Sequence, residues 1–489
     1  MNARAKRLSE LLAGIAPVAG ARDGTVGALT LDSRAVTPGA LFLALPGLRH
    51  DGRAFLSEVA ARGAAAVVYE ARDYPAPSLS IPAYGVTDLA AHLGTIADRF
   101  YGAPSRRVLV IGVTGTNGKT TCSQLIAQAL DRAPRRCAVI GTLGYGFPGA
   151  LDAGLHTTPD AVAVHRLLDE FHGAGAAYVS MEVSSHALDQ GRVNAVAFEL
   201  AVFTNLSRDH LDYHGDMERY AAAKTRLFLC DGLKTAVINR DDAHGRRLIA
   251  QLEGSRTRVL SYGLKQGDVH ARRLDTERDG LRLLAATPHG DVEIQAPLFG
   301  AFNASNLLAV LTALLALGLE PADAARRLSG VRPVPGRAER FQGGTAQPLV
   351  VVDYAHTPDA LEQVLQALRP HVEGRLWCVF GCGGNRDRGK RPQMGAIAER
   401  LADVVIVTDD NPRHESGDAI INDIVAGMTS TPRVLRDRPA AIATALREAT
   451  AADVILIAGK GHEDYQQIGD ERHPYSDRDT VRSLLGLAA

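Results

Sequence analysis

Val108-Leu109-Val110-Ile111-Gly112-Val113-Thr114-Gly115-Thr116-Asn117-Gly118-Lys119-Thr120-Thr121 reads as a buried strand, a glycine-rich turn and the start of a helix near Thr121. The apolar, β-branched run is short and unbroken, as in a strand covered on both faces. Glycines in such a turn let backbone N–H groups face inward around phosphate oxygens. The helix N-terminus adds partial positive charge, Lys119 neutralises the terminal phosphates, and a following hydroxyl can meet Mg²⁺. The usual pattern has Gly five positions before the last Gly. Here Val113 holds that place, and Gly112 and Gly115 supply the flexibility. Gly115, Thr116, Asn117, Gly118, Lys119, Thr120 and Thr121 are therefore the expected nucleotide-binding residues. The turn alone indicates ATP or GTP without fixing a reaction, and an ordinary strand-to-helix turn is the competing reading.

Outward from this turn, 489 residues exceed what one core normally holds, so several domains are expected. The first ends near Pro104-Ser105-Arg106. Strand-like and helix-like stretches then alternate to about residue 333, with a helix signal from Asn303 to Leu317 and Gly318 as its stop. A proline-rich joint follows, Arg332-Pro333-Val334-Pro335-Gly336. Beyond it come apolar runs at Leu349–Asp353, Leu376–Phe380, Val404–Val407 and Val454–Ala458. Such runs separated by helical stretches imply parallel sheets covered on both faces. The expected fold is α/β in three domains: a small N-terminal α/β domain (1–105), a central P-loop-type parallel sheet (106–333) and a C-terminal Rossmann-like α/β domain (334–489).

Net charge is −1 with both signs spread along the chain, which argues against a general nucleic-acid or membrane-surface binder. No run approaches about 18 apolar residues, so no membrane insertion is expected. Leu11–Gly20 is broken by Gly and Pro and reads as a short helix of the first domain, not a signal peptide. The cysteines, Cys122, Cys137, Cys230, Cys378 and Cys382, are odd in number and lack metal-site spacing; they read as reduced cytosolic thiols.

Several further strings fit one family. Thr157-Thr158-Pro159-Asp160, Glu182-Val183-Ser184-Ser185-His186, the stretch from Asn205 to Gly215, and Tyr220-Ala221-Ala222-Ala223-Lys224 resemble the Mur ligases. So do Phe302–Asn306, Pro335-Gly336-Arg337, Asp353–Pro358 and Gly459-Lys460-Gly461-His462-Glu463. The resemblance runs from about Leu31 to the C-terminus. It is closest to the branch that adds the third residue of the peptidoglycan peptide. It implies a cytoplasmic enzyme that uses ATP and Mg²⁺ to activate a peptide carboxylate as an acyl phosphate, which an amine then attacks.

The resemblance also implies roles. Lys119, His210 and Lys224 would be catalytic, and Thr120, Glu182, His210 and Lys224 (as a carbamate) would hold Mg²⁺. From the residues alone, Glu182 and His210 could equally be an ion-pair partner and a core histidine, and Lys224 a helix-surface lysine. Asn303 would read an adenine edge, its alternative being a helix cap. Arg337 and Asp353 would hold the phosphate and ribose side of ATP. Leu31, Ser33, Leu48, Arg49 and His50 would contact the UDP part of a UDP-muramyl dipeptide. Thr157, Thr158, Ser184, Gln190 and Arg192 would hold its muramyl-peptide part. His156 stands where some relatives have Asn.

In the same resemblance Asp410-Asn411-Pro412-Arg413 marks enzymes that add meso-diaminopimelate; from the residues alone it could equally be a turn with a surface salt bridge. The distal carboxylate of diaminopimelate suits Arg413 and Arg386 in charge-assisted geometry, and Glu463 beside Gly459 suits its distal ammonium. Lysine lacks that carboxylate and would leave guanidinium groups unpaired. The alternatives are an L-lysine-adding or folylpolyglutamate-type ligase and, in another class, a P-loop regulatory ATPase.

Overall fold

The computed structural model describes residues 5–47, 50–154, 156–277, 280–344 and 346–488. The chain gathers into two compact units. The first comprises Met1–Thr114, Leu130–Ala201 and Ala223–Lys234; the second comprises Gly115–Ala129, Val202–Ala222 and Thr235–Ala489.

In the first unit, strands Ala28–Thr30, Ala40–Ala44, Ala66–Glu70 and Ala83–Val86 form a parallel four-stranded sheet. Alternate side chains serve two cores. Leu41, Leu43 and Val68 pack with Ile96 and Phe100 of the helix Leu89–Tyr101, while Phe42 and Val67 pack with Leu56 and Val59. The same unit contains the strand Leu109–Thr114, whose parallel neighbour is Ala176–Glu182. Register pairs Glu182 with Val113, so Glu182 stands at the carboxyl edge where the glycine-rich turn begins. Ligands of parallel sheets bind at that edge.

In the second unit, Thr235–Asn239, Arg258–Gly263 and Val269–Glu277 are parallel neighbours in turn, and Gly280–Thr287 and Gly290–Ala296 then continue antiparallel. The parallel strands expected for the central region are found in each unit, Ala176–Glu182 beside Leu109–Thr114 and Thr235–Asn239 beside Arg258–Gly263, and the antiparallel strands are an addition to them. Val269–Glu277 is exposed or half-buried at every residue after the first, and a sheet with one wet face is normally antiparallel. The helix expected from Asn303 spans Ala301–Ala316. The C-terminal sheet has six strands in the order Glu339–Phe341, Leu349–Asp353, Val454–Ala458, Leu376–Phe380, Val404–Val407 and Arg433–Val434. All neighbours are parallel except the first pair. Its central strands are buried throughout because helices cover both faces. Among the described residues no helix is long and apolar enough to cross a membrane.

Candidate active site

The helix after the glycine-rich turn begins at Lys119, two residues earlier than the sequence suggests. Gly115 and Gly118 have φ of +148° and +85°, which L side chains rarely adopt. A Cβ on Gly118 would stand 2.5 Å from Asn306 Oδ1, so the turn also needs glycine for space. Thr116 N donates to Asn205 O (2.8 Å) and Asn117 N to Asn205 Oδ1 (2.9 Å). Lys119 Nζ donates to the carbonyls of Gly115 and Thr116 at 2.9 and 2.8 Å. Thr120 and Thr121 are buried.

The C-terminal sheet brings its own residues to this turn. Arg337 Nη2 donates to Thr120 Oγ1 at 3.1 Å, and its guanidinium lies 4.4 Å from the centre of the Tyr354 ring. Asn117 Nδ2 donates to Asp359 Oδ2 at 2.8 Å. Burial raises the Asp359 carboxyl above its usual range despite the hydrogen bonds from Asn117 and Ser207. Asp353 ends its strand and accepts from Ala338 N at 2.6 Å; burial likewise raises its carboxyl. Asn303 is third in its helix and Gly300 holds the cap position, so the helix-cap alternative is excluded. Its side chain is buried, with Nδ2 donating to Phe299 O (2.9 Å) and Oδ1 accepting from Asn306 Nδ2 (3.1 Å).

His210 adopts a left-handed φ of 54° and begins the short helix Leu211–His214. Its Nε2 lies 3.3 Å from Asp209 Oδ2, and His356 Nε2 lies 3.8 Å from the same oxygen. Burial alone would raise the Asp209 carboxyl, but His356, His210 and Lys390 hold it well below the ordinary range.

In the first unit, Glu182 is buried and its carboxylate accepts from Thr142 N (2.8 Å) and Thr142 Oγ1 (3.0 Å). Thr142 Oγ1 also meets Thr157 Oγ1 at 3.0 Å. Thr158 Oγ1 donates to Glu182 O at 2.7 Å and accepts from Ser184 N at 3.1 Å. Arg192 Nη1 donates to Thr158 O (2.9 Å), and its Nη2 to Gln190 Oε1 (2.6 Å). Thr157, Thr158, Ser184, Gln190 and Arg192 are thus linked by hydrogen bonds, Thr157 by way of Thr142 and Glu182. Lys224 is only 1% exposed, so the helix-surface alternative does not hold. Leu31 and Ser33 are half-buried at a short turn capped by Asp32, and His50 is exposed. Leu48 and Arg49 lie outside the described residues.

The third group sits in the second unit. Arg413, also left-handed at φ 52°, donates Nη1 to Gly384 O at 2.9 Å. A Cβ on Gly383 would stand 2.8 Å from Arg413 Nη1 and 3.8 Å from Arg386 Cγ, so both arginines flank that glycine. Burial, then the like charge of Arg386, lowers the Arg413 guanidinium from its usual value. Asn411 Nδ2 donates to Glu463 Oε2 at 2.9 Å. Gly459 has φ +116°, and a Cβ there would stand 2.6 Å from Asp410 Oδ2. Pro412 O faces Gly384 closely. Arg386, Asp410, Asn411, Pro412, Arg413, Gly459 and Glu463 therefore converge.

Sequence reasoning passed over Thr142, Asp209, Asp359, Lys460 and His462. Asp209, Lys460 and His462 lie inside strings already singled out, and Asp359 directly follows one. Thr142 carries no local signal. Among the described residues, no group of three or more His, Cys, Asp or Glu is arranged to hold a metal, and all five cysteines are free.

A glycine-rich strand-to-helix turn in an α/β chain, with separate clusters of polar groups in each unit, is the build of a multidomain nucleotide-dependent enzyme. Family models match at residues 25–101 (Mur ligase family, catalytic domain), 113–314 (Mur ligase middle domain) and 336–461 (Mur ligase, glutamate ligase domain). A relative from Pseudomonas aeruginosa, named UDP-N-acetylmuramoyl-L-alanyl-D-glutamate--2,6-diaminopimelate ligase, is 55% identical and covers 95% of this chain and 96% of its own. One of the same name from Alkalilimnicola ehrlichii is 52% identical, covering 98% and 99%. A solved structure of a ligase of that name superposes with a TM-score of 0.70 at 38% identity, covering 99% of each chain. The chain belongs to the Mur ligase family.

Proposed function

We propose that this chain is an ATP-dependent ligase of peptidoglycan synthesis that adds meso-2,6-diaminopimelate to the D-glutamate of UDP-N-acetylmuramoyl-L-alanyl-D-glutamate. One observation carries the choice of amino acid: Arg413 and Arg386 flank Gly383, while Asp410 and Glu463 act on the same guanidinium. Cations and carboxylates gathered this closely suit a side chain that bears both a carboxylate and an ammonium. The names of the relatives above support the same reading.

Likeness to the Mur ligases supports the following order of events. Lys119 turns from the loop carbonyls to the terminal phosphates of ATP, and Arg337 adds a second cation beside Thr120. Asp353 takes the ribose and Asn303 the adenine edge. The glutamyl carboxylate attacks the γ-phosphorus and ADP leaves. The amine of diaminopimelate then attacks the acyl carbon. Phosphate departs, and the nitrogen loses a proton. Positioning and charge neutralisation carry most of such a reaction. Thr157, Thr158, Ser184, Gln190 and Arg192 hold the muramyl peptide, and Leu31, Ser33, Leu48, Arg49 and His50 the UDP part.

Mg²⁺ prefers oxygen donors, takes few carboxylates and keeps several waters. In this proposal the Glu182 carboxylate and a carbamylated Lys224 of the first unit would offer it oxygen, and so, separately, would the Thr120 hydroxyl of the second unit, where His210 would offer nitrogen. When bound, the ion neutralises phosphate charge. The domain limits 1–105, 106–333 and 334–489 and a cytoplasmic location belong to the same proposal.

The test mixes purified protein, ATP, Mg²⁺ and the UDP-muramyl dipeptide with a panel of amino acids and weighs the products. Lengthening with diaminopimelate, and phosphate release that needs both acceptors, is expected. No lengthened peptide with any amino acid, or vigorous release with neither acceptor, overturns the reading.

A further inference from the structure

We infer that Lys460 sets the charge preference of the amino-acid pocket: its buried ammonium favours an incoming side chain that carries a carboxylate over one that carries only an ammonium. The inference rests on the function proposed above and concerns a residue given no role there.

Lys460 follows the strand Val454–Ala458, and its side chain is 0% exposed. Nζ donates to Glu463 Oε2 at 2.9 Å and to Asn411 Oδ1 at 3.1 Å, and it lies 5.4 Å from the centre of the Tyr465 ring. Asn411 Nδ2 donates to the same Glu463 oxygen at 2.9 Å. Glu463 is therefore already balanced by a cation before any substrate ammonium reaches it. Arg386, Arg413 and Lys460 together set three positive groups against the two carboxylates Asp410 and Glu463. A lysine substrate brings a further cation to this excess. A diaminopimelate substrate brings a cation and an anion together.

Burying an ammonium is costly unless it is paired and hydrogen-bonded. An amide at this position could hydrogen-bond Asn411 and Glu463 but would leave the Glu463 carboxylate without a cation, so the hydrogen bonds alone do not account for a lysine. The charge does. At about 8 Å and an effective dielectric of about 20–30, one unit charge changes the affinity of another by a factor of about 10 to 30.

The test compares kcat/KM for diaminopimelate with kcat/KM for L-lysine. Lys460→Gln keeps donors for both partners and removes the charge. It is expected to lower the diaminopimelate-to-lysine ratio by about 10- to 30-fold through the amino-acid KM, with the KM for ATP within about threefold of wild type. Lys460→Gln/Glu463→Gln restores the excess of one positive group and leaves no uncompensated carboxylate, so it serves even where the single variant fails to fold. Its ratio is expected to return to within about threefold of wild type, at lower overall activity. A purely structural role would move both variants together. An unchanged ratio in Lys460→Gln, or no return in the double variant, overturns the inference. Wild-type protein that does not use diaminopimelate at all would instead overturn the proposed function.

Discussion

Arg438 offers the sharpest test of how the segments beginning at Gly459 and Asp410 are held in place. Its side chain and that of Asp477 are both 0% exposed. The pair is bidentate, with Nε and Nη2 each 2.8 Å from a carboxylate oxygen. Nη2 also donates to Ala458 O at 2.9 Å and Nη1 to Asp409 O at 3.4 Å. Those carbonyls immediately precede Gly459 and Asp410. In Arg438→Met, Asp477 keeps only the Tyr475 hydroxyl of these partners, at 2.8 Å. Removing one partner of a buried pair costs about 3–5 kcal/mol. Arg438→Met/Asp477→Leu removes the stranded charge and loses the three hydrogen bonds to Asp409 O, Ala458 O and the Tyr475 hydroxyl, each worth about 0.5–1.5 kcal/mol. The double variant is thus expected about 2 kcal/mol below wild type, and more stable than the single one. Trp377 is the only tryptophan and sits buried in the same sheet, so its fluorescence during urea unfolding reports on this region. A single variant that loses less than about 1 kcal/mol, or a double variant no more stable than the single, refutes the reasoning.

Three shorter predictions follow from other groups. Arg413→Ala should raise the KM for diaminopimelate at least tenfold while changing nucleotide affinity less than about threefold; equal loss of both in substrate titration and nucleotide binding contradicts its placement. Gly118→Ala should abolish ATP binding, measured calorimetrically, because φ is +85° and the Cβ would press on Asn306; normal affinity would show the loop to be more tolerant than its geometry. Burial, then the Arg337 charge, lowers the His462 imidazole to about 3. With its folded value below the unfolded one, this group withdraws stability as pH falls from about 6.5 toward 3 and none above that range. Its NMR signal should stay flat between pH 5 and 8, and a midpoint near 6 would contradict this.

The parallel strands were legible because burial on both faces leaves an unbroken apolar run. Leu349–Asp353, Leu376–Phe380, Val404–Val407 and Val454–Ala458 have the limits their sequence suggests. The strands Val269–Glu277 and Gly290–Ala296 were less legible, since their wet faces dilute the apolar pattern. In the site, charged residues beside glycine turns announced themselves. Lys224 did not, because three alanines before a lysine describe a wet helix face as well as a buried one. Nor did Thr142, whose role comes from meeting Glu182 40 positions away. Lys460 was quoted only within its motif, because its partner Asn411 lies 49 residues away.

The hairpin Tyr465–Ile468/Glu471–Pro474 is joined to the residues before it in space: Gln467 N donates to Asn411 Oδ1 at 2.8 Å, and Arg413 N donates to Gln467 O at 3.1 Å. Gly469 N returns to Arg413 O at 2.8 Å. Two segments more than 50 residues apart thus share one backbone frame. Exchanging the first alone with that of a ligase for another amino acid would leave its new side chains on a foreign support. Retargeting this enzyme is accordingly a matter of transplanting both pieces at once.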